Sequence, residues 1–265
     1  MSAAFARTQR GLLELTFDAP GGRTRLARDR QQGPLKVVRP FETDDGGLLL
    51  YVINPTAGVL GGDRFELRLE LGPGARVVLL SQSAQKVHRM HPGEHAVQRL
   101  EARLAAGSRL ELYPERVIPF AASSFAQDSR FLLEPGAQLG LLESFASGRV
   151  AHGEHWSFER LAGRTEVRLG DRLIYLDRFD LRPSGHGLGH LGLMEDGRYW
   201  ASGLFVGEGA PAPPPLSLPW GRTASGHLWL RGLERSGLAL EAAMRHSVDQ
   251  LRGAFFGLGP LTVRR

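Results

Sequence analysis

Cysteine is absent from the 265 residues. That excludes disulfides, thiolate nucleophiles, zinc ribbons and iron–sulfur clusters. Lysine is scarce. Of 33 basic residues only Lys36 and Lys86 are lysines, and the arginines are scattered rather than gathered into a run. With 28 acidic residues the net charge is +5 and the sequence pI is about 10.2. A nucleic-acid surface needs clustered cations with aromatics beside them, and aromatics make up only 8%. No nucleic-acid partner is expected; an acidic protein partner suits the mild surplus. No apolar run reaches the roughly 18 residues of a spanning helix, so no membrane is expected. Met1-Ser2-Ala3-Ala4-Phe5-Ala6-Arg7 lacks the charged start and apolar core of a secretion signal. A cytoplasmic setting is the expectation. A Gly-x-Ser-x-Gly nucleophile elbow is also missing.

What is present is mainly β in pattern. Leu48–Ile53 is a continuous apolar run, and Phe65-Glu66-Leu67-Arg68-Leu69-Glu70-Leu71 alternates, as a half-exposed strand does. A weak repeat of strand, glycine turn and strand organises the middle. It occurs at 69–80, 102–112 and 131–142, with a fainter copy at 159–168. The turn glycines are read as Gly74, Gly107, Gly136 and Gly163, spaced 33, 29 and 27 residues apart. Such periods indicate stacked supersecondary units, because short strands cannot bury a face alone. The pattern predicts a mainly β fold, a β-helix-like or stacked β-hairpin body, with one or two C-terminal α-helices. One domain is expected over 1–265, with the β body at about 1–235 and a helical segment at about 238–257. Leu240, Met244, Val248, Leu251 and Phe255 form one helical stripe, stopped by Gly257 and Pro260. That stripe packs on a sheet or presents Phe255 to a partner. Pro211-Ala212-Pro213-Pro214-Pro215 is a loop.

The densest chemistry lies in Asn54-Pro55-Thr56-Ala57-Gly58-Val59-Leu60-Gly61-Gly62-Asp63. It is not a phosphate loop. Such a loop ends in Gly-Lys-Ser/Thr at a helix start, whereas here an aspartate and a strand follow the glycines. Gly61 and Gly62 are expected at φ values that a Cβ resists. Asp63 either satisfies turn N–H groups or faces an ion. Other candidate carboxylates are Glu143, Glu154 and Asp177, which spacing alone does not bring together. Histidines group at His88, His91 and His95, at His152 and His155, and at His186 and His190. Residues three apart on a strand point to opposite faces, so these groups suit transient rather than permanent metal binding. Lys86 sits among polar neighbours in Gln82-Ser83-Ala84-Gln85-Lys86-Val87-His88-Arg89.

These segments, in this order, resemble the UreD family of urease accessory proteins, called UreH in some lineages. The family's glycine-rich block matches Pro55, Gly58, Gly61, Gly62 and Asp63. Its next block matches Ala84, Lys86, Val87, His88 and Arg89, and a third matches Pro114-Glu115-Arg116-Val117-Ile118-Pro119-Phe120. A Gly-Arg-x-x-x-Gly-Glu block matches Gly148, Arg149, Gly153 and Glu154, and a later strand aspartate matches Asp177. The tail Gly259–Arg265 lacks the Pro-Arg-x-Trp ending that many members show.

The resemblance implies a β-helix-like body with C-terminal helices, and a non-enzymatic cytoplasmic chaperone or scaffold. It implies a UreF-type accessory protein, a UreG-type GTPase and apo-urease as partners. Nickel(II) would be in transit through an internal channel, with no permanent cofactor and no catalytic residues. Asp63, Glu143 and Glu154, read as turn residues, and His88 are then suitable weak stations for nickel, since a closed tight site would trap the ion. Two rivals stand beside this reading: a β-solenoid carbohydrate-active enzyme, which needs clustered carboxylates in an aromatic groove, and a cupin-like metal-binding protein.

Overall fold

The computed structural model describes residues 8–262 except 186, 189, 191–192 and 208–211. Chain order begins with β1 (Arg10–Asp18), β2 (Arg25–Gln32), β3 (Lys36–Val37), β4 (Phe41–Glu42), β5 (Leu48–Ile53) and β6 (Arg64–Leu71). It continues with β7 (Arg76–Ser81), β8 (Gln85–Val87), β9 (Ala96–Leu104), β10 (Arg109–Tyr113), β11 (Val117–Pro119) and β12 (Ser124–Leu133). Then come β13 (Gln138–Ala146), β14 (Arg160–Leu169), β15 (Arg172–Leu181), β16 (Tyr199–Val206), β17 (Trp220–Arg222), β18 (Leu228–Glu234) and one helix, α1 (Gly237–Phe256). Sheet A has the order β15-β14-β12-β9-β6-β1-β2, and the main path of sheet B is β17-β18-β16-β13-β10-β7-β5-β3.

The chain coils between the two sheets. Tight turns carry it from sheet A to sheet B, from β6 to β7, β9 to β10 and β12 to β13; long crossovers return it. Gly74, Gly107 and Gly136 sit in these turns at φ of 71°, 69° and 81°, where a Cβ is strained. Successive coils pair in parallel, as in β6 with β9 and β7 with β10. The body is therefore a β-solenoid, not a stack of hairpins. The fourth repeat reads differently in the structure. Gly163 is no turn: it lies within β14, where a Cβ would meet the Phe179 ring at 2.4 Å. The turn after β14 falls at Gly170, φ 56°.

Strand alternation sorts the side chains. Leu13, Leu15, Phe65, Leu69, Phe125 and Phe131 of sheet A point inward and are buried against Leu50, Leu79, Leu110 and Leu139 of sheet B. On the outer face of sheet A, Arg30, Glu14, Arg68, Glu101, Arg130 and Glu166 are successive register neighbours. Directly opposed like charges repel; this row alternates in sign across six strands. Sheet B is covered instead. Ser236 caps α1 by accepting from the Ala239 N–H, and Gly257 ends it in the left-handed region. Leu240, Val248 and Leu251 bury against β16 and β18, while Met244 and Phe255 pack beside them. Phe255 thus lies 5.9 Å from the Phe205 ring, on the protein's own sheet. Arg252 of α1 donates through Nε to the fully buried Glu111 carboxylate at 2.6 Å. Among the described residues no helix is long and apolar enough to cross a membrane.

Candidate functional site

The motif residues gather at the crossover edge of the solenoid, because every crossover returns there. The crossovers themselves pair, β8 with β11 in parallel and Val59 beside Val87, and Val117 of β11 also pairs with Phe145 at the end of β13. Gly58 is the tight point. Its φ is 140°, and a Cβ would stand 2.4 Å from the Lys86 carbonyl oxygen. The neighbouring Val59 N–H donates to that carbonyl at 2.8 Å. Gly62 has the expected positive φ of 84°, whereas Gly61 does not; its constraint is the overlying Glu94 side chain.

Asp63 is held by backbone donors. It is wholly buried. One carboxylate oxygen accepts from the Gln9 N–H at 2.8 Å and the other from the Leu60 N–H at 2.9 Å. It ties the turn to the segment entering β1. Glu154 is also committed. It pairs with Arg149, whose Nε donates at 2.9 Å, and accepts from the Ala121 N–H at 3.3 Å. The Arg149 hydrogen bond holds the Glu154 carboxyl below its ordinary range. The Arg149 guanidinium stands 4.5 Å over the Phe120 ring, and His88 meets the same ring edge-on at 4.9 Å. His88 Nε2 donates to the Ala57 carbonyl at 2.8 Å. This column braces the edge. Pro55 and Lys86 are exposed along it.

Glu143 differs. It is not at a turn but within β13, on the phase that points between the sheets. Gln127 Nε2 donates to it at 2.8 Å and Thr165 Oγ1 at 3.4 Å. Burial, aided by the negative charge of Asp177, pushes its carboxyl up to about 7. Asp177 is the register partner of Thr165, and Ser202 is that of Glu143. Ser202 Oγ donates to Asp177 at 2.6 Å, and Arg231 pairs with the same carboxylate at 2.8 Å. The two sheets thus bring together two of the four candidate carboxylates.

Around them runs a polar seam through an otherwise apolar interior. On one side a cavity of about 150 Å³ opens near Asn54, Ser83 and Lys86 and reaches Ser129 and Glu143. Gln85 and Gln98 hydrogen-bond beside it at 2.9 Å. On the other side a cavity of about 340 Å³ is lined by Asp177, Ser202 and Arg231 together with Phe179 and Leu193. No sequence motif points to Gln98, Gln127, Ser129, Thr165, Ser202 or Arg231. A signal for them exists all the same: each takes an inward position where alternation calls for an apolar residue. Among the described residues no three histidine, aspartate or glutamate side chains group as a metal-holding cluster. His186 lies outside the described residues, as do Pro211 and the last three residues of the tail.

Comparisons with known proteins agree with this geometry. The family model described as UreD urease accessory protein matches residues 9–265. A protein of Deinococcus radiodurans named urease accessory protein UreD is 43% identical, over 98% of this chain and 96% of its own length. Urease accessory protein UreD 1 of a Synechococcus strain is 38% identical over 83% of this chain and 84% of its own. An Arthrobacter protein named urease accessory protein UreD is 30% identical over 97% and 94%. With its motif blocks stacked on one edge and matched along nearly its whole length, the chain belongs to the UreD family of urease accessory proteins.

Proposed function

We propose that this urease accessory protein is a non-enzymatic chaperone that passes nickel(II) to apo-urease through its polar seam. It would do so in the cytoplasm, in a complex with a UreF-type protein and a UreG-type GTPase. The observation that carries the reading is Glu143, a carboxylate held between two sheets where a leucine would be more stable. A carboxylate half-buried between sheets with neutral partners is costly, so it requires a reason, and passage of a cation supplies one. Oxygen donors from glutamate, glutamine, serine and threonine attract a divalent ion without the grip of thiolates. A proton that leaves near neutral pH is readily exchanged for an arriving cation. Asp63 and Glu154 serve as structural ties in this scheme, not stations.

The test is Glu143→Gln, which keeps the shape and removes the charge. The variant is co-expressed with urease and the other accessory proteins. Pull-down should recover the normal complex, while urease nickel content and activity fall at least tenfold. Full nickel loading by Glu143→Gln sinks the route through Glu143.

A further inference from the structure

Sheet A ends at β15, whereas sheet B continues through β18 and β17. The seam therefore reaches the solvent at this end, in the larger of the two cavities. A cation that has reached Glu143 next meets Asp177, and Asp177 is taken. Its Oδ1 pairs with Arg231 Nη2 at 2.8 Å, and its Oδ2 accepts from Ser202 Oγ at 2.6 Å. Arg231 Nη1 donates in addition to Ser202 Oγ at 2.7 Å and to Tyr175 Oη at 3.0 Å. One guanidinium thus closes the ring of polar groups around the mouth. Its planar fork suits several acceptors at once.

The closure is reversible by construction. The Arg231 side chain is 43% exposed and that of Asp177 21%, so the guanidinium borders the open mouth. Its hydrogen bonds exchange for water without disturbing β18, whose backbone pairing with β16 is independent of the side chain. Resting on the nickel-delivery reading above, we propose that Arg231 is an electrostatic plug: it occupies Asp177 and repels a divalent cation until it swings out of the mouth. A docked receiver that offers carboxylates to the guanidinium would draw it aside. Passage is then coupled to docking, and the ion is not lost to solvent from the free protein.

The experiment is calorimetric titration of the full chain with Ni²⁺ alone. Four proteins are compared: the unaltered chain, Arg231→Met, Arg231→Lys, and Arg231→Met combined with Asp177→Asn. Arg231→Met should bind at least tenfold tighter than the unaltered chain. Arg231→Lys keeps the charge and should bind like the unaltered chain. The double variant should lose the gain, because the freed carboxylate is gone. Unchanged affinity in Arg231→Met overturns the plug. So does a gain that survives Asp177→Asn, or one shown equally by Arg231→Lys. Should Arg231→Met fold poorly, Arg231→Gln carries the same comparison. This readout is separate from urease activation. Full activation by Glu143→Gln would refute the delivery route, whereas an unchanged Arg231→Met titration would refute only the plug.

Discussion

The interior has two halves built on one set of strands. Toward the tight turns the inward positions are Leu69, Leu71, Ala102, Leu104, Phe131, Leu133 and Val167, all buried and apolar. Toward the crossovers the same strands place a polar band inward, Gln98, Gln127, Ser129 and Thr165 opposite Glu143 and Ser202, before Phe125 and Leu161 close the core again. Alternation and register are continuous through both halves. The difference is therefore not one of fold. The dry half carries the stability that lets the wet half hold polar groups between sheets, and function resides where the local rule for a core is broken.

The dry half offers the largest effect. Phe131 is fully buried in the main cluster. Phe131→Ala should cost about 3–5 kcal/mol, because lost transfer energy and a residual cavity add. Chemical denaturation checks this. A cost below about 1 kcal/mol would mean that the dry half is not the stabilising one.

The wet half should show the opposite sign. Glu143 has its folded pKa raised from 4.5 to about 7. Between those values the folded chain holds a proton that the unfolded chain has released, so stability falls as pH rises through the window. Glu143→Gln removes that loss. At pH 8 the variant should be more stable than the unaltered chain by at most about 3 kcal/mol, less where cavity water screens the charge. At pH 4.5 the two should coincide. Melting curves across pH measure this, and a variant destabilised at pH 8 would show that Glu143 holds the sheets together.

The coil was legible in the sequence because its signals are local. Gly74, Gly107 and Gly136 mark turns by their own backbone needs, and the stripe of α1 is periodic within one segment. Gly163 misled, since a glycine facing Phe179 from inside a strand resembles a turn glycine when the partner strand is unknown. The site was half legible. Glu143 and Asp177 stood out as residue types, but their meeting depends on pairing between β13, β14, β15 and β16, which no short window contains. Asp63 was half legible for the same reason: the Leu60 N–H lies within its own turn, but its second partner, the Gln9 N–H, is 54 residues away. That partner has a consequence for substitution. A simple turn would accept asparagine in place of Asp63 without loss. Here both oxygens accept N–H groups, so Asp63→Asn sets an amide donor against a backbone donor. It should cost about 1–3 kcal/mol, read as a lowered melting temperature. An unchanged melting temperature would return Asp63 to turn chemistry alone.

The smallest effect sharpens the comparison most, because it sets a second glutamate against the first. Glu166 lies on β14 next to Thr165 but points outward, into the alternating row of charges. Hydrogen bonds from Arg168 and then Arg164 hold its carboxyl below the ordinary range. Its folded pKa is lowered where that of Glu143 is raised. The linkage therefore runs the other way: its contribution is present above the unfolded carboxylate pKa and lost as pH falls through the folded one. Glu166 is itself only 7% exposed beneath Arg164 and Arg168, which remain partly solvated, so Glu166→Gln should cost about 1 kcal/mol at pH 7. The cost should shrink modestly in high salt, which screens the partly exposed arginines more than the buried carboxylate. At low pH Glu166→Gln and the unaltered chain should converge. Thus Glu143→Gln gains stability as pH rises, and Glu166→Gln loses it. If both variants moved with pH in the same direction, the distinction between a carboxylate held between the sheets by neutral partners and one held on the outer face by arginines would fail.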